Sequence, residues 1–376
     1  MNDDPALRRL IDHVLTARDT RTPLCLHGHG SKAFYGEAPR GEPLDMTLLA
    51  GITHYEPTEL VVTARAGTPL AELEAVLAAQ GQCLAFEPPR FHSAIESAAV
   101  DAGTAPRLGT VGGMVAAGLS GPSRAAVGAV RDYVLGAALL DAQGELLRFG
   151  GEVMKNVAGY DIARVLAGSL GILGPIVEVS LKVLPLPPAR ATLRFEWREP
   201  RALQQLQQWA AQPLPLRASA WWNDMLVVQL AGAEAAVRAA AHGLGGERID
   251  AAAADRFWND LRDQRDEFFV AALEAVRGGA TLWRLSVAPA SPPLATKGAQ
   301  LIEWGGALRW VVNQADAATM RALAASHGGH ATEFRGSKRD GAFTPLAPPL
   351  LRIHRELKAR FDPDRIFNPG RLIPDL

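Results

Sequence analysis

GEVMKNVAGYDIARVLAGSLGILGPIVEVSLKVLP, residues 151–185, is the stretch on which the fold turns. Asp161 to Ala167 reads as a short helix, with Ile162, Val165 and Leu166 on one face, Asp161 as its N-cap and Gly168 as its stop. Gly168, Gly171 and Gly174 then punctuate a tight turn around Ser169. Beyond it Val177, Val179, Leu181 and Val183 alternate with Glu178, Ser180 and Lys182, the period of a strand with one buried face. A glycine turn in that position leaves main-chain N–H groups free and lets a ligand approach the backbone. A plain helix-to-strand connection is the alternative, and the rest of the chain decides between them.

Upstream, Pro5 to Ala17 spaces Leu7, Leu10, Ile11, Val14 and Leu15 as one helical face, and Asp3, Asp4 and Asp12 argue against a targeting peptide. Pro23 to His27 reads as a strand, followed by HGHGSK, residues 27–32. Gly28, Gly30 and Ala33 fit a G-x-G-x-x-A spacing, but a dinucleotide fingerprint needs a helix next. Gly36, Pro39, Gly41 and Pro43 forbid one, so what survives is a glycine loop with main-chain donors for a phosphate. Glu59 to Ala64 is a strand. Thr68-Pro69 opens a helix lined by Leu70, Leu73, Val76 and Leu77, and CLAFEPPRF, residues 83–91, is a strand entering a proline turn. TVGGMVAAGLSGPSR, residues 110–124, is a second glycine-rich approach through Gly112, Gly113, Gly118 and Gly121. Val134 to Phe149 is a hairpin turning at Asp141-Ala142-Gln143-Gly144.

After Pro185-Leu186-Pro187-Pro188 the glycine loops thin out and tryptophans and alanine-rich helices take over. Strands are expected at 192–197, 217–222, 225–230, 281–287, 301–304, 308–312 and 331–334. Helices are expected at 201–211, 233–242, 252–262 and 317–326. The mixture predicts an α+β unit, an antiparallel sheet with helices on one face. Pro345 to Pro349 is a linker, Leu350 to Phe361 a last helix, and FDPDRIFNPGR a turn-rich tail. The 376 residues thus divide into 1–187, 188–340 and 341–376.

Charge and composition exclude some classes. Basic and acidic side chains nearly cancel, leaving a net charge of −1, which gives no electrostatic footprint for nucleic acid. No apolar run approaches about 20 residues, so no membrane span is expected. Cys25 and Cys83, the only cysteines, suggest a reducing, cytoplasmic setting and cannot together ligate an iron–sulfur cluster or structural zinc.

FEPPRF, TVGGMVAAGLSGPSR, VGAVRDYVLG, GGEVMKNVAGYDIARVLAGSLGILG and FDPDRIFNPGR, in this order, resemble the FAD-binding PCMH-type (vanillyl-alcohol oxidase-like) flavoprotein family across essentially the whole chain. The resemblance implies two small subdomains holding FAD, a cap over the flavin ring and a C-terminal segment returning to the FAD. It further implies His27, Gly28, His29, Gly30, Ser31 and Lys32 as the first pyrophosphate loop, and Thr110, Val111, Gly112 and Gly113 as the second. Ser120, Gly121, Arg124, Gly128 and Asp132 would line the flavin side. Gly168, Ser169, Gly171, Ile176 and Val177 would meet the adenine half or the pyrophosphate, and Asn368 and Gly370 would be the tail's contacts. Relatives that tether FAD do so through a histidine in a loop like R-G-G-G-H-S. Ser31 stands in its place, so the FAD is expected to be non-covalent.

For the glycolate-oxidising members, the resemblance implies an FAD subunit of a 2-hydroxy acid oxidase or dehydrogenase complex. Electrons would pass toward quinone through a sister FAD subunit and an iron–sulfur subunit, with inner-membrane contact only through those partners. A stand-alone FAD oxidase of a 2-hydroxy acid or sugar, and a structural FAD-binding subunit of a catalytic sister, are the alternatives. Arg284 in LWRLSV and Arg309 in ALRWVV sit on the less apolar side of their strands and are candidates to clamp a substrate carboxylate, a solvated sheet face being the plain reading. His27 with His29, and His327 with His330 and Glu333, have metal-ligand residue types. SHGGHATEFR departs from the H-x-x-G-D-G-N-x-H metal motif of related dehydrogenases, so the expectation is loop residues and no metal. Trp221, Trp222, Trp258 and Trp304 are read as core or subunit contact. No catalytic base stands out, and Tyr160 and Asp161 are assigned structural work.

Overall fold

The computed structural model describes residues 4–91, 109–151 and 161–376. A parallel pair, β1 (Leu24–His27) and β2 (Glu42–Asp45), carries the first glycine loop. A five-stranded antiparallel sheet follows, built from β3 (Ile52–Glu56), β4 (Val61–Arg65), β6 (Val134–Leu140), β7 (Leu146–Gly150) and β8 (Ile176–Lys182) in the order β3-β4-β8-β6-β7. The short pair β5 (Gln82–Cys83) and β9 (Leu184–Pro185) sits beside it. An eight-stranded antiparallel sheet forms the second half, ordered β13-β10-β12-β11-β15-β16-β14-β17. Its strands are β10 (Ala189–Glu196), β11 (Leu216–Trp222), β12 (Met225–Gly232), β13 (Glu247–Ile249), β14 (Thr281–Ser286), β15 (Ala299–Glu303), β16 (Leu308–Asn313) and β17 (His330–Arg335).

The central strand β8 is where the opening stretch leads. Val179 and Leu181 enter the core with Val62, Leu73 and Met114, as the alternation requires. The opposite face is not a solvated one, because Ser180 is buried against Thr63, their hydroxyls 2.8 Å apart. The helix expected over Asp161–Ala167 shrinks to one 3-10 turn, Ala163–Leu166, which leaves Val165 exposed and no side-chain cap. Asp161 instead pairs with Arg164 at 2.8 Å. Gly168 then turns at φ +89, a conformation that favours glycine. Tyr160 and the rest of 152–160 lie outside the described residues.

Three expectations give way to tertiary contacts. Thr110–Gly113 is not an open loop: Thr110 caps a helix, Val111–Ala117, with Gly113 N–H donating to its hydroxyl at 3.2 Å. The adjacent glycines are tolerated there because a Cβ on Gly112 would sit 2.6 Å from that of Ala66. Thr68 does not cap the next helix upstream, Leu70–Ala79, since its hydroxyl donates to the carbonyls of Gly51 and Arg65. In CLAFEPPRF only Cys83, the end of the two-residue strand Gln82–Cys83, is strand, while Leu84, Ala85 and Phe86 go straight into the core.

The eight-stranded sheet carries helices on both faces, not one. Glu199–Ala210, Glu234–Leu244 and Ala317–Ser326 pack on one side through Leu203, Leu206, Val237 and Met320. Ala251–Arg262 and Glu267–Arg277, the latter not expected, pack on the other through Trp258, Leu261, Phe268 and Phe269. That second side also receives Tyr35, Phe91, Leu119 and Leu170 from the first half, so it faces the glycine loops. The tail helix Pro348–Phe361 leads back to β1, where Phe367 bridges Leu24 in parallel.

Candidate functional site

A cleft of about 170 Å³ opens between the β1 loop, the start of the Val111–Ala117 helix, the 170–176 turn and the tail. Of the residues expected to bind the cofactor, it gathers His27, Gly28, His29, Gly30, Ser31, Lys32, Thr110, Gly112, Gly113, Gly171, Ile176 and Asn368. Each loop explains part of the shape. Gly28 lies against Thr110, whose Oγ1 a Cβ would meet at 2.4 Å, so the two loops touch only because Gly28 has no side chain. Gly113 by contrast is exposed toward the cleft.

The donors come from the first loop. Among the described residues none accepts from the main-chain N–H of Gly30, Ser31 or Lys32. In the second loop the N–H groups of Val111, Gly112 and Gly113 already donate to Thr68 O, Ala66 O and Thr110 Oγ1. That loop shapes the cleft more than it donates to it. His27 and His29 point their Nδ1 atoms at the carbonyls of Gly28 and Gly109, each at 3.1 Å.

Two cations complete the donor set. Burial pushes Lys32 down to about 8, with Asp263 and Glu74 pulling the other way. Arg371 was not among the expected contacts. Its Nη2 donates to Ala33 O at 2.7 Å, fixing the first loop, while its Nη1 is buried with no partner among the described residues and the side chain lines the cleft. The signal was available, as Arg371 closes the FDPDRIFNPGR tail, but an arginine after a glycine reads as a solvated end. Free main-chain N–H groups, a desolvated ammonium and a guanidinium with an unpaired nitrogen fit the diphosphate of FAD.

Asn368 lines the cleft and also holds it together, and the remaining expected contacts lie elsewhere. Asn368 works as a clamp, its Oδ1 accepting from Leu26 N–H at 2.8 Å and its Nδ2 donating to Leu170 O at 2.7 Å. Gly370 turns at φ +72 and donates to Leu376 O. Gly168 and Ser169 hold the turn, Gly168 N–H donating to Val115 O and Ser169 Oγ accepting from Gly171 N–H. Val177 faces away, into the cluster of Val14, Leu24 and Leu140. Val111 is buried in the core beneath the cleft. Ser120 accepts from Val130 N–H, and Asp132 accepts from Ala129 N–H across Gly128, so both shape the 120–132 turn.

Ser120 and Gly121 do line a second, smaller cavity of about 30 Å³, with Phe91, Gln264, Arg284, Glu303, Trp310 and Phe334. The two cavities approach each other at Lys32, whose Nζ lies 5.7 Å over the Phe91 ring. Here the two arginines part company. Antiparallel register sets Arg284 opposite Trp310, and Leu285 opposite Arg309. Directly opposed residues share a face, so the arginines lie on opposite faces and form no common clamp. Arg309 is wholly buried, donating to Gly306 O and Ser291 O and pairing with Glu199 at 3.2 Å. His327 and Glu333 are likewise engaged, His327 Nδ1 at Leu323 O and Glu333 Oε1 with Lys338 N–H. Trp221 and Trp258 are core residues, as expected.

An antiparallel sheet with glycine loops, a returning tail and a second sheet packed against the first half defines an FAD-binding PCMH-type flavoprotein. A family model described as an FAD binding domain matches residues 8–150. Two crystal forms of alkyldihydroxyacetonephosphate synthase share the fold, with TM-scores of 0.61 and 0.63 at 16% identity, covering 96% of this chain and 75% of theirs. Glycolate oxidase subunit GlcE of Escherichia coli (strain K12) is 44% identical over 98% of this chain and 97% of its own. Glycolate oxidase subunit GlcD of Bacillus subtilis (strain 168) is 30% identical over 49% of this chain and 36% of its own. The chain belongs to the GlcE family of glycolate oxidase subunits within these flavoproteins. It is an FAD-dependent oxidoreductase, and its cofactor is FAD.

Proposed function

We propose that this chain is the FAD-binding subunit of a glycolate (2-hydroxy acid) dehydrogenase complex, taking glycolate to glyoxylate and sending electrons toward quinone through an iron–sulfur partner. The observation that carries the reading is the full-length similarity to GlcE, borne by a chain whose cleft has the donors a diphosphate requires. In this reading residues 1–187 and the tail 341–376 hold the FAD, and 188–340 cap it. The main-chain N–H groups of Gly30, Ser31 and Lys32, the Lys32 ammonium and Arg371 Nη1 would hold the diphosphate. Gly28 would let the two loops close on it, and Gly112 would seat the second loop on Ala66. Bound FAD supplies a two-electron acceptor for the substrate's hydride. The chain's own part is to bind and orient, and to keep water from the reacting face through the Phe91, Trp310 and Phe334 wall.

Nothing in HGHGSK offers the tethering histidine of the R-G-G-G-H-S pattern at position 31, which supports a non-covalent cofactor. The purified chain should therefore be yellow and should release its colour to the supernatant on acid precipitation. The test of function is anaerobic addition of glycolate to that protein, followed by its flavin spectrum. Bleaching supports oxidation at this flavin. A spectrum unmoved by glycolate, even with the partner subunits present, would overturn the assignment of the reaction to this flavin.

A further inference from the structure

The second face of the large sheet holds a cluster that the cofactor cleft does not use. Trp304 follows β15 and is 4% exposed, its Nε1 donating to Gly121 O at 3.0 Å across the seam between the two halves. The ring is thus a fixed platform. Two guanidinium groups rest on it, that of Arg124 at 4.4 Å and that of Arg284 at 5.1 Å from its centroid. Arg284 also lies 5.9 Å from the Trp310 ring. On the edge strand β17, Thr332 is opposite Arg284 and His330 opposite Ser286. Alternate residues share a face, so His330 points to the same side as Arg284.

Among the described residues this is a concentration of positive charge with little to balance it. Asp132, the acidic group that acts on Arg124, also accepts from Ala129 N–H. Glu303, which acts on Arg284, is buried against Trp310 Nε1 at 2.7 Å and pushed up to about 8, so it is mostly uncharged at neutral pH. Burial first, and then Arg284, lower Arg124. Partial desolvation, and then both arginines, hold His330 below its ordinary value. Two like charges held together over one aromatic ring favour an anion between them. A planar guanidinium stacked on an aromatic ring still presents its in-plane N–H groups, the geometry that receives a carboxylate.

We propose that Arg124 and Arg284, held on Trp304 and flanked by His330, form the subsite that binds the carboxylate of a small 2-hydroxy acid. Arg124 replaces Arg309 as the companion of Arg284, and it comes from the first half of the chain, so the subsite exists only when the two halves are docked. The subsite rests on the reading of this chain as a 2-hydroxy acid oxidoreductase.

The test is calorimetric titration of oxalate, a small dicarboxylate with no hydride to give, into the purified FAD-loaded chain. Saturable binding is expected. Arg124→Met and Arg284→Lys should each weaken it about tenfold or more, because each removes one charge-assisted fork. Arg194→Met, at the exposed pair with Glu247, should leave it unchanged. Flavin content and the thermal unfolding transition of each variant separate loss of the subsite from loss of the fold, and Arg124, exposed on a four-residue helix, is the safer change. Wild-type oxalate binding that survives both changes in flavin-loaded, folded protein would overturn the subsite while leaving the oxidoreductase reading intact. Absence of oxalate binding by the wild type would overturn the subsite as well. Glycolate-dependent bleaching in the same preparation would then show that the broader reading stands without it.

Discussion

Lys32 is the residue whose state should report on the cofactor most directly. Its ammonium is desolvated in the cleft and depressed to about 8 from an ordinary 10.5, with Glu74 and Asp263 opposing the shift and Arg371 on the same wall. In the FAD-free protein the folded lysine loses its proton before an unfolded one would. The folded state therefore binds fewer protons between about 8 and 10.5, and stability rises with pH across that window. A diphosphate beside Lys32 favours the charged form, so FAD affinity should be full below pH 8 and fall as pH rises through it. Fluorescence titration of FAD between pH 6.5 and 9.5 checks this. Lys32→Met should bind roughly tenfold more weakly at pH 7 and show a flattened profile. A wild-type profile already flat across pH 8 would remove Lys32 from the diphosphate. Residues such as this were legible because glycine spacing marks a loop regardless of context. Arg309 was misread because β16 is buried on both sides, so alternation there carries no information about which face meets the cleft.

Among the elements, those whose own chemistry specifies them were the ones legible in the sequence. The β6–β7 hairpin turns where Asp141 Oδ1 accepts from Gln143 and Glu145 N–H, a signal contained in four residues. The Val111–Ala117 helix was not legible, because its first glycine, Gly112, is set by contact with Ala66, which is distant in sequence. The Glu267–Arg277 helix, absent from the expected elements, does carry a local signal in Asp266, whose carboxylate accepts from Phe269 N–H. The tail helix depends on a device no pattern reveals. Lys358 and Asp362 are 1% and 0% exposed and 2.6 Å apart, with Lys358 also donating to Ile172 O and Phe367 O. Asp362 in turn accepts from Ile366 and Phe367 N–H. The pair thereby ties the tail to the 168–174 turn. Lys358→Met leaves a buried carboxylate without its counter-charge and should cost about 3–5 kcal/mol. Adding Asp362→Asn should recover part of it. Urea midpoints read both changes, and a cost below about 1 kcal/mol for the single variant would show that the network is not what holds the tail.

At the scale of the molecule the two halves meet along an apolar seam, Tyr35, Phe91, Leu119 and Leu170 against Trp310 and Phe334, with hydrogen bonds around it. Arg90 N–H donates to Asp263 at 2.9 Å, Lys338 Nζ to Gly36 O at 2.6 Å, and Trp304 to Gly121. The large sheet is thus locked onto the loops that form the cleft, which suits binding and orientation. Onward electron transfer needs something further. With two cysteines in its sequence the chain cannot supply the four thiolates of an iron–sulfur cluster. Among the described residues no helix is long and apolar enough to cross a membrane. If the proposed reaction is right, the chain alone should accept electrons from glycolate yet sustain turnover poorly, because its reduced flavin has no relay to empty into. Reconstitution separates the cases: glycolate-driven dye reduction by this chain alone, by a sister flavoprotein with an iron–sulfur subunit, and by all three together. High turnover from this chain alone would promote the stand-alone oxidase. Full turnover without it would reduce it to a dispensable flavin-binding scaffold. Turnover that appears only with all three, and falls with Arg124→Met while FAD stays bound, would place the chemistry at this chain's own flavin. The same turnover untouched by Arg124→Met would move the substrate to the sister subunit and leave this chain to relay or support.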